Sequence, residues 1–131
     1  MSVPGDTNPD VKPVVWIGSS LKDLRRFPQE VRLTDGQAIF DAQKGTKHPD
    51  AKPLRGFGNA GVLEIVADND GSTYRAVYTV RFSGLVYLLH AFQKKSKKGI
   101  VTPAQEIKLI RSRLIDAERH YVEWKKQQAS E

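Results

Sequence analysis

Residues 88 to 98 read LLHAFQKKSKK. An apolar run gives way to four lysines in five positions, Lys94, Lys95, Lys97 and Lys98. Like charges this close repel one another, so the cluster weakens the fold unless an anion neutralises it. In the same stretch His90, Phe92 and Lys94 alternate, the spacing at which strand residues share one face. An imidazole, an aromatic ring and an ammonium on one face suit proton transfer, base stacking and phosphate binding. The plainer alternative is a solvated loop beside a strand histidine satisfied by its neighbours.

These groups need a sheet to hold them. VLEIVA (62–67), TYRAVYTVRF (73–82) and LVYLLHAFQ (85–93) have strand character, with DNDG and SG as hairpin-length junctions. A two-residue turn at Ser83 and Gly84 pairs Phe82 with Leu85, Arg75 with Phe92 and Val77 with His90. Opposed residues point to the same side, so Arg75, His90, Phe92 and Lys94 fall on one face. A four-residue DNDG loop adds Glu64, facing Arg75 as a possible ordinary cross-strand ion pair. Ile65, Tyr78, Val80, Tyr87, Leu89 and Ala91 make the other face core-like. His48, His90 and His120 show no metal-ligand spacing, and there is no glycine-rich phosphate loop, nucleophile elbow or zinc-binding helix.

Residues 1–12 are rich in Pro, Gly, Asp and Asn and are expected to form a loose tail ahead of one domain over 13–127. VVWI (14–17) reads as a short strand. Ser20 and Asp23 have capping-box spacing for a short helix ending near Phe27. Pro28 suits the first turn of a second helix, which stops at Gly45. Val31, Ala38, Ile39 and Ala42 give that helix an apolar stripe, weakened by Thr34, Asp35 and Gly36. GTKHPDAKPLRGFGNAG reads as a loop. Thr102, Pro103 and Gln105 open a last helix whose seam is Ile107, Ile110, Leu114, Ala117, Tyr121 and Trp124. That seam is expected either to dock on the sheet or to meet another helix, which makes a homo-oligomer through the C-terminal helix an expectation. The order predicts an α+β layer, with an early helical hairpin covering one face of an antiparallel sheet.

The 131 residues suffice for a single core, and 39% hydrophobic with 27% charged residues argues against global disorder. No cysteine is present, which excludes disulfides and thiolate chemistry. The first residues lack the apolar segment of a secretory signal and no apolar run reaches membrane-span length, so a cytoplasmic protein is expected. The net charge is +6 with a pI near 9.7. From Lys94 to Arg113 seven cations face the single Glu106. That concentration predicts an anionic partner.

Taken together, YRAVYTVRFSGLVYLLHAFQKKSKKGIVTPAQEIKLIRSRL, SSLKDLRRFPQEVR and AKPLRGFGNAGVLEI resemble the phage-derived, HigB-like branch of the RelE/ParE toxin superfamily, from about Lys12 to Tyr121. The ordered block HAFQKKSKK…TP…EI is the most specific part. The resemblance implies a RelE/ParE-like α+β fold: an N-terminal strand and helical hairpin on a small antiparallel sheet, with a C-terminal helix. It implies the toxin of a type II toxin–antitoxin pair, a ribosome-dependent mRNA endoribonuclease in which the RNA 2′-hydroxyl attacks its own phosphate without metal or cofactor. Arg75, His90 and Lys94 would be the catalytic set, and Arg55, Phe92, Lys95, Lys97 and Lys98 would bind RNA. Implied partners are a HigA-like helix-turn-helix antitoxin, the ribosome and mRNA, with no membrane. The ParE branch shares the fold but inhibits DNA gyrase, and a non-toxic phage-derived interaction protein is a third possibility.

Overall fold

The computed structural model describes residues 10–58, 61–94 and 102–130. The chain runs β1 (Val14–Trp16), α1 (Ser20–Arg25), α2 (Gln29–Gln43), β2 (Ala51–Pro53), β3 (Val62–Asn69), β4 (Ser72–Thr79), β5 (Val86–Lys94) and α3 (Ala104–Ala129). One five-stranded sheet has the order β1-β5-β4-β3-β2. The pairs among β2 to β5 are antiparallel, and β1 lies parallel to β5. The expected α+β order of strand, helical hairpin, strands and final helix is the one observed.

Helices cover both faces of the sheet. Leu24, Phe27, Val31, Ala38, Ile39 and Ala42 of the α1–α2 region pack on Ile65, Ala76, Tyr78, Val86, Leu88 and Ala91. On the opposite face Ile110 and Ala117 of α3 are buried with Val62, Val77, Tyr87 and Leu89. Ile107, Leu114, Tyr121 and Trp124 complete the expected seam against that cluster. The seam therefore docks on the protein's own sheet, while Ile115 and Val122 of α3 remain exposed. Among the described residues no helix is long and apolar enough to cross a membrane.

Four local expectations are corrected. The stretch read as a loop contains β2, whose Pro53 stands opposite Leu63 at the sheet's edge, where a missing N–H does least harm. Asp70 and Gly71 alone form the β3–β4 turn, both with positive φ (49° and 84°), as a tight hairpin of mirror-image twist requires. Glu64 consequently opposes Val77, and Val66 opposes Arg75. The shift is two residues, so Glu64 stays on the face of Arg75. Finally, β4 stops at Thr79. The pairs Arg75–Phe92 and Val77–His90 are as expected, but a bulge follows, giving Tyr78–Leu88 and Thr79–Tyr87. The bulge turns Tyr87 and Leu89 toward α3, away from the Ile65, Tyr78 and Ala91 face to which they were assigned.

The helix starts also differ. Ser19 rather than Ser20 caps α1, and its Oγ donates to Asp23 at 2.7 Å. Pro28 precedes α2 as its cap residue. Gly45, at φ +83°, follows the helix end as predicted. Lys12, placed at the end of the loose tail, donates its backbone N–H to Gln43 O at 2.9 Å and accepts from Gln43 Nε2 at 2.8 Å.

Candidate functional site

Strand alternation on β3, β4 and β5 sets Glu64, Arg75, His90, Phe92 and Lys94 on one face, and the first turns of α3 lie across it. Arg75 is almost fully buried, at 2% exposure. Its Nη1 donates to Glu64 Oε2 at 3.0 Å and to Thr102 Oγ1 at 3.2 Å. The Thr102 hydroxyl donates in turn to Glu64 Oε2 at 2.9 Å, closing a triangle. Thr102 was expected to cap α3. Its hydroxyl is committed to Glu64 instead, and the helix begins behind Pro103 with no side-chain cap.

His90 lies two residues before Phe92 on β5 and stacks on its ring, with centroids 4.9 Å apart at 21°. Its Nε2 is 3.2 Å from Glu106 Oε2 and its Nδ1 is 3.1 Å from Arg113 Nη1. Burial holds its pKa below the ordinary histidine value, and Glu106 opposes that shift only in part. Arg113 also donates to Leu89 O at 3.0 Å and to Ser19 Oγ at 3.0 Å. Room for its guanidinium comes from Gly18, at φ +57°. A Cβ there would sit 2.9 Å from the Arg113 side chain. A chain of contacts thus runs Asp23–Ser19–Arg113–His90–Glu106, tying α1 to β5 and α3.

A groove of about 700 Å³ opens on the β2–β3 side of the α3 start. Lys52, Arg55, Glu64, Val66, Thr102 and Ile107 are among its lining residues. Arg111 braces its wall by donating to Gly56 O at 2.6 Å while lying over the Phe57 ring. Two exposed cations therefore stand beside an apolar surface, an arrangement suited to a phosphate chain with its bases.

The structure sets Arg75, His90, Phe92 and Lys94 on one face of the sheet, while Arg55 lines the groove with Thr102 and Ile107. Lys94 ends β5 opposite Thr73. Lys95, Lys97 and Lys98 lie outside the described residues. Sequence reading gave no site role to Thr102, Glu106, Arg113 or Lys52. Glu106, Ile110 and Arg113 at i, i+4 and i+7 share one helical face, a signal that would have placed Glu106 and Arg113 against the sheet. Away from the site, His120 Nδ1 meets the Tyr87 hydroxyl at 2.9 Å. Among the described residues no group of three His, Cys, Asp or Glu could hold a metal ion.

Residues 22–115, well over half of the chain, match the family described as Phage derived protein Gp49-like (DUF891). The chain belongs to this family. Gp49-like proteins form a family of RelE/HigB-type toxins. No curated protein matches this Gp49-like chain. Among solved structures it is similar to a double mutant of the E. coli toxin RelE in the free state, at 18% identity and TM-score 0.45, covering 62% of this chain and 81% of that one. It is also similar to the RelBE2 toxin–antitoxin complex of Mycobacterium tuberculosis, at 21% identity and TM-score 0.42, covering 70% of this chain and 100% of that one.

Proposed function

We propose that this Gp49-like toxin is a ribosome-dependent mRNA endoribonuclease of a type II toxin–antitoxin pair. The observation that carries the reading is the hydrogen-bonded His90–Glu106 pair beneath the start of α3, in a chain of a toxin family. In the proposed reaction a ribose 2′-hydroxyl attacks the adjacent phosphorus. The P–O5′ bond breaks, leaving a 2′,3′-cyclic phosphate and a free 5′-hydroxyl. The 2′ proton passes to a base, and the departing 5′-oxygen takes a proton from an acid. The His90–Glu106 pair supplies the base, and the Lys94 ammonium supplies the acid. Lys94, Lys95, Lys97 and Lys98 meet the phosphates, Phe92 offers a ring edge, and Arg55 with Lys52 guides the strand along the groove. Arg75 can clamp a phosphate only where that phosphate takes the place of Glu64 on its guanidinium. Until then Arg75 holds the floor of the site.

The partner under this reading is a HigA-like antitoxin with a helix-turn-helix domain, encoded beside the toxin gene, whose binding masks the basic face. Burial of both Arg75 and His90 favours a second reading, a ParE-like gyrase inhibitor that needs no reaction centre. Primer extension on mRNA from induced cells separates the two. Codon-linked cuts that require translating ribosomes are the expected result. Intact message together with DNA breaks and gyrase arrest would establish the second reading in its place. A non-toxic interaction protein would give neither effect and no growth arrest.

A further inference from the structure

We infer that Arg113 is a positioning residue that locks His90 as the neutral tautomer protonated on Nε2, so that Glu106 and not His90 is the proton acceptor this pair offers to substrate. The proposal rests on the nuclease reading for its chemistry, but the tautomer can be tested without it.

Arginine carries only N–H donors and no acceptor. Arg113 Nη1 lies 3.1 Å from His90 Nδ1, so Nδ1 must present its lone pair. A neutral ring then carries its proton on Nε2, which donates to Glu106 Oε2 at 3.2 Å. Protonating Nδ1 would set an N–H against the donor that faces it. The charged and titratable groups around His90 are Glu106 and Arg113 from α3 and Asp23 from α1, while Phe92 of β5 covers its ring. Burial and Arg113 both disfavour the imidazolium, and the two carboxylates favour it; the net direction is toward the neutral ring.

Accessibility assigns the roles. The His90 side chain is 6% exposed and that of Glu106 is 26% exposed. Neither imidazole nitrogen can take a substrate proton, because one holds a proton already and the other is covered by Arg113. The Glu106 carboxylate reaches solvent and keeps lone pairs that His90 does not use. In the reaction, Glu106 takes the 2′-hydroxyl proton as the O2′–P bond forms. The P–O5′ bond breaks, the departing oxygen takes a proton from the Lys94 ammonium, and the His90 N–H steadies the carboxylate without leaving its ring. Arg113 is in turn fixed by Ser19 Oγ and Leu89 O, and by the missing side chain at Gly18.

The test uses nitrogen-15 imidazole spectra of the full chain from about pH 5 to pH 8, the range in which histidine ordinarily titrates. His90 is assigned by loss of its signals in His90→Gln. The wild type should show the Nε2-protonated neutral pattern, with a midpoint below the ordinary value of about 6.5. Arg113→Met should raise that midpoint and mix the tautomers, whereas Arg113→Lys, which keeps a donor, should restore the wild-type pattern. Should Arg113→Met fail to fold, the wild-type and Arg113→Lys spectra decide alone. A wild-type Nδ1-protonated ring, or an imidazolium near neutrality, overturns the proposal, as does a folded Arg113→Met with an unchanged ring. In single-turnover cleavage, Glu106→Gln should lose about 10²-fold or more in rate with RNA affinity retained. Wild-type rates in Glu106→Gln beside an inactive His90→Gln would overturn the acceptor assignment. A wild type that cleaves nothing but shows the expected ring pattern sinks the nuclease reading and upholds the tautomer.

Discussion

Two buried carboxylates stand on opposite faces of the same sheet and are treated in opposite ways. Glu64, under α3, is 9% exposed and takes two hydrogen bonds on one oxygen, from Arg75 and Thr102. Asp35, on the sheet-facing stripe of α2, is 1% exposed, and neither of its oxygens has a hydrogen-bond partner. Burial alone pushes its pKa from the usual 3.8 to about 7. The buried Tyr78 hydroxyl also lacks a hydrogen-bond partner, and Tyr78 packs in the cluster beneath the helical hairpin. The α3 face is thus organised by specific polar pairs that fix side chains near the candidate site. The α2 face holds by apolar packing, and there a lone carboxyl escapes the cost of a buried charge by keeping its proton.

Breaking the paired side should have the largest effect. Glu64→Ala leaves the Arg75 charge buried without its carboxylate, which typically costs about 3–5 kcal/mol. That is a large share of the roughly 5–15 kcal/mol that stabilises a domain. Glu64→Leu combined with Arg75→Met removes both charges and should cost much less than the single change. Urea unfolding of the three proteins measures this. A single-mutant loss under about 1 kcal/mol would mean that Arg75 is not held by Glu64 as a structural pair, and would favour its role as a phosphate clamp.

The unpaired side should show itself through pH. Because the folded-state pKa of Asp35 is raised, the fold binds the proton more tightly than the unfolded chain does. Its stabilising effect is complete below about pH 4 and is lost as pH rises through about 7, at about 1.4 kcal/mol per unit. The total is on the order of 2–4 kcal/mol. His90 acts with the opposite sign, since its pKa is lowered, and it destabilises the fold as pH falls below about 6.5. Asp35→Asn should therefore flatten the decline in stability between about pH 4 and pH 7 while leaving the acid-side loss from His90. If Asp35→Asn unfolds with the wild-type pH profile, Asp35 has a partner or is reached by water.

Particular residues show which features were legible from sequence. Alternation in β4 and β5 placed Arg75, His90, Phe92 and Lys94 on one face, and Glu64 of β3 stays with them because period-two geometry survives the two-residue register error at the Asp70–Gly71 turn. It could not say that the face is covered. The α3 seam was visible, but whether it met the sheet or another chain depends on tertiary packing, not on its own period. The bulge near Leu89 has no local signature, and β2 is three residues ending in proline, too short for any periodic signal. Thr102 shows the same limit in the site: its position before Pro103 reads as a cap, and only the fold brings Glu64 and Arg75 to its hydroxyl.

The smallest expected effect tests the groove between β2–β3 and the start of α3. Lys52 and Arg55 are exposed cations on its lining, and neither is bound to a carboxylate across it within ion-pair distance among the described contacts. Removing exposed charges usually changes stability by less than about 0.5 kcal/mol, so Lys52→Ala with Arg55→Ala should unfold like the wild type. If each cation neutralises one phosphate of a single strand, RNA affinity should follow salt with a slope of roughly −0.7 per contact. The double variant should then flatten that slope by about 1.4 units while the His90 ring pattern stays unchanged. Affinity measured across a salt series reads the slope directly. An unchanged slope would take RNA out of this groove and leave its two cations as solvated charges at the edge of the sheet.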